Sequence, residues 1–262
     1  MLNVICESPF QSQGGDPMDN LNEKVPNSLD LNEISLAWDE THHLYKEKPL
    51  YKKRFNLVMS FHPPGVAAVE DASGAYHINT NGENIYEKIF LKTFGFYGGI
   101  AAVADKSGWF HINLKGEPIY QQRYEWVGNF QEKRCPVRDL EGNYFHINTN
   151  GTPAYPEKYK YAGDFKYGIA VVYEDTGLAK HIDKKGTDVH QSKYQELGVF
   201  HKGYAIAKDE HGYFHIDKTG NPIYEKRFRW VEPFYNGQAF CCDKPGKKVI
   251  IDEKGEIMKK IF

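Results

Sequence analysis

Apolar and polar positions along residues 55–261 repeat on two scales. The short period is two. In Ala205-Ile206-Ala207, and again in Tyr213-Phe214-His215-Ile216-Asp217, apolar positions alternate with others, which marks a strand with one buried face. Polar turns separate the strands. In Asp217-Lys218-Thr219-Gly220 the Asp suits the first turn position, and the Gly accepts the positive φ with which the chain re-enters a strand. Pro222-Ile223-Tyr224 then starts a further short strand.

The long period is 34 or 35 residues. The string His-Ile-(Asn/Asp)-x-x-Gly begins at His77, His111, His146, His181 and His215, and a sixth copy reads Ile250-Ile251-Asp252 through Gly255. A Phe recurs at Phe61, Phe96, Phe130, Phe165, Phe200 and Phe234. A small residue follows at Ala67, Ala101, Cys135, Ala170, Ala205 and Ala239, where backbones must approach closely. Six full units thus begin at Phe55, Phe90, Tyr124, Tyr159, Tyr194 and Phe228, and Leu50-Tyr51 is the tail of a degenerate earlier one.

A unit this short buries its apolar face only by stacking on its neighbours. The pattern predicts an all-β chain of six tandem hairpin or meander repeats over residues 50–262. An open twisted β-solenoid is the favoured arrangement and a six-bladed β-propeller the alternative, because propeller blades need four strands and usually about 40–50 residues. Residues 1–29 read as a disordered tail, being rich in Gly, Pro, Asn, Gln and Asp over 7–27. Leu31, Ile34, Trp38 and Tyr45 fall at helical spacing, so residues 30–49 are expected to form a helical cap on a degenerate repeat, with the helix over 30–45.

The units resemble WG-type bacterial repeats, in which F-x-x-G-x-A-x-V precedes a Trp-Gly-Tyr-Ile-Asp-x-x-Gly string. The clearest copy runs from Phe200 through Gly203, Ala205, Ala207, Gly212, His215, Ile216 and Asp217 to Gly220. The defining Trp survives only as Trp109, and His stands where the family has Tyr, which marks a diverged branch. The resemblance implies an all-β interaction module that carries no catalytic residue. Such repeats occur alone, fused to enzymes, and in proteins exported by intracellular bacteria.

Composition narrows the function. There are 33 Lys and Arg against 35 Asp and Glu, a formal charge of −2, which gives no general pull toward nucleic acid or anionic membrane. No run approaches the roughly 18 apolar residues of a membrane span. The start, Met1-Leu2-Asn3-Val4-Ile5-Cys6-Glu7-Ser8, lacks the basic and apolar stretches of a cleavable signal peptide. The chain therefore reads as soluble, cytoplasmic and monomeric, with export by a specialised secretion system left open. Its four cysteines, Cys6, Cys135, Cys241 and Cys242, have neither disulfide-framework nor zinc spacing and are expected to be reduced.

The histidine column invites a metal or pH-sensing reading, but one His per unit at one register is what a structural repeat generates. No nucleophile–base set, calcium loop or phosphate loop is present, so neither catalysis, metal nor cofactor is expected. Aromatic residues are the better clue. The column Leu57, Lys92, Trp126, Tyr161, Glu196, Trp230 varies, whereas its neighbour Val58, Thr93, Val127, Ala162, Leu197, Val231 is almost uniformly apolar. The variable column should face outward. Trp126, Tyr161 and Trp230, with Trp109 on the His-bearing face, are the candidate binding residues of a non-catalytic scaffold for a protein partner. A carbohydrate-binding module using Trp and Tyr stacking is the alternative.

Overall fold

The computed structural model describes residues 29–261. The expected disordered tail falls outside them except for Leu29, as does Cys6. The described residues form seven small antiparallel sheets in series, six three-stranded and the last four-stranded, and no closed barrel. Each full unit starts with a two-residue strand such as Trp126–Val127, continues through a longer one, Arg134–Arg138, and returns as Tyr144–Asn148. The next segment touches its own sheet at single bridges, Ile147 to Pro153 and Tyr144 to Tyr159, and then leaves to begin the next unit. After Gly255 the corresponding segment stays as a complete fourth strand, Ile257–Ile261.

The expected columns occupy the core. Ala67, Ala101, Cys135, Ala170, Ala205 and Ala239 are buried, as is every residue of the Val58 column. The turn chemistry is equally regular. Asp217 Oδ1 accepts the Thr219 and Asn221 N–H groups at 2.9 and 3.0 Å, while the Gly220 N–H donates to the Asp217 carbonyl at 3.0 Å. Asn79, Asn113, Asp183 and Asp252 make the same pair of side-chain bonds, so a short polar side chain fixes the turn it begins. Gly220 is required twice over. Its φ is +79°, and an added Cβ would lie 2.5 Å from the ring of His190 in the preceding unit.

Between units the contact is polar and buried. His77 Nε2 donates to the Phe94 carbonyl of the next unit at 2.8 Å, and its Nδ1 bonds the hydroxyl of Tyr86 in its own unit. His111, His146 and His215 repeat this with Gly128, Gly163 and Glu232 carbonyls at 2.8–2.9 Å and with Tyr120, Tyr155 and Tyr224. His181 reaches the Gly198 carbonyl at 2.9 Å, and His190 takes the tyrosine's place. Each ring also packs on the Phe of the following unit, with centroids 4.2–4.8 Å apart. Every junction is thereby stapled through one imidazole. The last unit carries Ile250 and Lys259 at the staple positions, and Lys259 is exposed.

The same device corrects the reading of residues 30–45. No helix spans them. Leu31–Glu33 is one 3-10 turn, and Ile34–Leu36, His43–Tyr45 and Lys48–Pro49 form a three-stranded sheet. Tertiary bonding overrides the local period: His43 Nε2 donates to the Met59 carbonyl at 2.8 Å and Nδ1 bonds Tyr51, which requires His43 in a strand paired with Leu36. Trp38, placed on the apolar helix face by spacing, is 96% exposed. The degenerate unit is therefore a working seventh sheet.

Gly220→Val should cost about 3 kcal/mol or more, from left-handed strain plus overlap with His190. Lys218→Ala, two residues away and exposed, should fall within about 0.5 kcal/mol of wild type. Urea denaturation of both variants checks the contrast, and equal stability would contradict the turn geometry.

Candidate interaction surface

The histidine column is committed to the fold. A carbonyl oxygen only accepts, so each Nε2 carries the proton and each Nδ1 is the acceptor, for a tyrosine O–H or, at His181, for the Nε2–H of His190. The staple therefore needs a neutral imidazole. Burial, partly offset by the carbonyl bond, pushes His77, His111, His146, His181 and His215 down to about 4. His43 is lowered for the same reason. Burial also pushes Tyr51 up to about 12 and raises Tyr86, Tyr120, Tyr155 and Tyr224.

The cysteines and the recurrent cations are likewise accounted for. Cys135 and Cys241 have no exposed surface, and burial raises both thiols, Cys241 to about 12, while Cys242 is half-buried. Arg123 and Arg227 lie 3.6 Å over the rings of Phe110 and Phe214 in their own units, and Arg227 also bonds Asp209 at 2.7 Å. Lys158 and Lys193 pair with Asp139 and Glu174, each at 2.7 Å. These side chains tie units internally.

The aromatic column behaves differently. Tyr161 and Trp230 are 47% and 41% exposed, while Trp126 and Trp109 are half-buried. Trp126, Arg138 and Tyr144 stand side by side across three strands of one sheet. The Trp126 ring lies 6.0 Å from Tyr144, Tyr144 lies 5.7 Å from Tyr161 of the next unit, and Tyr161 lies 6.0 Å from Tyr173. The Arg138 guanidinium is 5.8 Å from the Tyr144 ring and bonds Glu125 at 2.9 Å. Four aromatic rings and an arginine thus run continuously across a unit boundary. Trp109 stacks on Phe94 at 5.5 Å in the second unit, and Trp230 stands edge-on to Phe240 at 5.8 Å in the sixth. Tyr144, Tyr173 and Arg138 complete the run and were not among the sequence candidates. Cross-strand alignment of their columns with Trp126 and Tyr161 was the available signal.

A family model described as a WG-containing repeat matches residues 109–144, 147–175 and 215–240. Those three segments are WG-type repeats. At the staple, His stands where the family string has Tyr and supplies the buried bond to the next unit. No curated protein sequence matches the chain. Among solved structures it is similar to BamB from Moraxella catarrhalis, at 14% identity over 89% of this chain and 86% of that one, TM-score 0.47. It is also similar to the computationally designed protein Ika8, at 13% identity over 87% and 83%, TM-score 0.48. A eukaryotic initiation factor structure aligns at 12% identity over 83% and 68%, TM-score 0.49.

Two outcomes follow from the buried groups. A histidine held near 4 when folded and near 6.5 when unfolded stabilises the fold fully above pH 6.5 and loses that contribution as pH falls toward 4. Each takes away about 1.4 kcal/mol per pH unit inside that window. Acid titration followed by circular dichroism should show one steep transition between pH 6.5 and 4 with uptake of several protons, and a flat baseline to pH 4 would contradict the staple. With a thiol reagent on native protein, Cys242 should label quickly, and Cys135 and Cys241 only after denaturant is added.

Proposed function

We propose that the chain is a non-catalytic scaffold that binds a protein partner through the aromatic run Trp126-Tyr144-Tyr161-Tyr173 with Arg138. The supporting observation is the continuity of that run across the boundary between the third and fourth units. Trp, Tyr and Arg are the residue types that dominate binding hot spots, because they offer large rigid area with a polar edge. The run is partly exposed and presents rings from two sheets that the staple holds at fixed spacing, so little freedom is lost on contact. Trp230 and the Phe94–Trp109 stack are separate, partly exposed aromatics and serve as comparison sites. A carbohydrate ligand stacking on the same rings is the alternative reading that the experiment separates.

Tyr161→Ala should melt like wild type, within about 0.5 kcal/mol, yet lose about 2 kcal/mol or more of binding to a purified partner. Trp230→Ala should keep that binding. Affinity purification with each variant, followed by titration of the retained partner, gives both numbers. Retention of every partner by Tyr161→Ala overturns the reading, and loss of a glycan-array signal in that variant transfers the site to carbohydrate.

A further inference from the structure

One junction carries an internal anion that the next junction lacks. From the second unit onward, the tip of the first hairpin is a tight turn with two positive-φ residues, as at Glu132-Lys133, Tyr167-Gly168 and Lys202-Gly203. Between the third and fourth units Glu132 projects from its turn. Its carboxylate accepts the Gly168 N–H at 2.9 Å and the Lys184 ammonium at 2.8 Å. Although partial burial works against it, those two donors hold Glu132 below the usual carboxylate range.

The junction between the fourth and fifth units has the same donors one repeat later. Gly203 corresponds to Gly168 and Lys218 to Lys184, but the position of Glu132 is taken by Tyr167, which is 74% exposed. In place of the carboxylate there is a cavity of about 350 Å³, lined by Tyr167, Phe200, His201, Lys202, Gly203 and Lys218. Among the described residues the Gly203 N–H meets no acceptor, and Lys202 and Lys218 form no ion pair. The field there is positive: after burial itself, Lys202 and Lys166 are what lower His201.

We propose that this cavity binds a carboxylate, which occupies the place of the missing glutamate and accepts from Gly203 N–H and Lys218 Nζ, with Lys202 adding charge and the Tyr167 and Phe200 rings walling the carbon chain. The filled copy one unit away specifies the chemistry, since the same paired donors there hold one carboxylate oxygen in charge-assisted bonds. The site does not depend on the aromatic run or on its partner.

Isotope-labelled protein titrated with glutarate, following the Gly203 amide resonance, tests it. Wild type should show a saturable shift of that amide at millimolar ligand. Lys218→Ala should weaken binding about tenfold, the worth of one charge-assisted bond. Tyr167→Glu, which supplies the intramolecular carboxylate, should abolish the response while melting at or above the wild-type temperature. A blocked Gly-Glu-Gly peptide and its Gly-Gln-Gly counterpart distinguish the source. Binding of the Glu form alone assigns a partner's side chain, and binding of glutarate without the peptide assigns a free small carboxylate. An immobile Gly203 amide in wild type, an undiminished response in Tyr167→Glu, or a shift with phosphate but not with glutarate overturns the proposal.

Discussion

The buried imidazole that bridges successive units is the constraint on which the rest of the structure depends. A sheet of three short strands has too little apolar surface to be stable alone, and its neighbours extend its core with Phe and Tyr rings as well as small residues. The staple joins them with a directional bond inside a dry junction, where leaving either partner unmade costs far more than the bond returns. One nitrogen must donate to a carbonyl of the next unit, so the other must accept from a hydroxyl or a second imidazole. That demand fixes the tautomer and the rotamer of each ring, and with it the spacing between sheets.

Several other features follow from the same bond. The tyrosine that donates to one histidine also covers the turn glycine of the following unit, so Gly116, Gly151, Gly186 and Gly255 tolerate no Cβ. The strict Asn or Asp at the start of that turn keeps the glycine in place beneath the ring. The degenerate N-terminal sheet is kept in the array by His43 and Tyr51, although most of its other repeat positions have drifted. The last unit, with Ile250 and Lys259 in the staple positions, finishes its own sheet with a fourth strand instead.

Because interior columns carry these demands, variation is free to accumulate on the outer ones, and there neighbouring units differ. Trp126 and Tyr161 meet through Tyr144 because one unit places an aromatic ring at the boundary where another has Ala. Glu132 and Tyr167 occupy equivalent turns with opposite consequences, a satisfied lysine in one junction and an open cavity in the next. Function in a chain of this kind resides in such departures from the repeat, on a frame rigid enough to hold them in register.

The sequence by itself determined the units, their strand and turn order, the buried small and apolar columns, and the outward bias of the column bearing Tyr161 and Trp230. These are legible because alternation and turn chemistry are local, and repetition averages out exceptions. It misassigned residues 30–45, where helical spacing competed with a pairing visible only once His43 met Met59 in space. It treated the histidines as a column on one face without revealing their bond to a carbonyl seventeen residues away, about sixteen at His43. Nor did it show that Tyr144, Tyr173 and Arg138 join Trp126 and Tyr161, or that Lys218 lacks the carboxylate that Lys184 has. Those facts depend on which side chains meet across strands and across units, and that proximity is created by the stacking of sheets rather than by spacing along the chain.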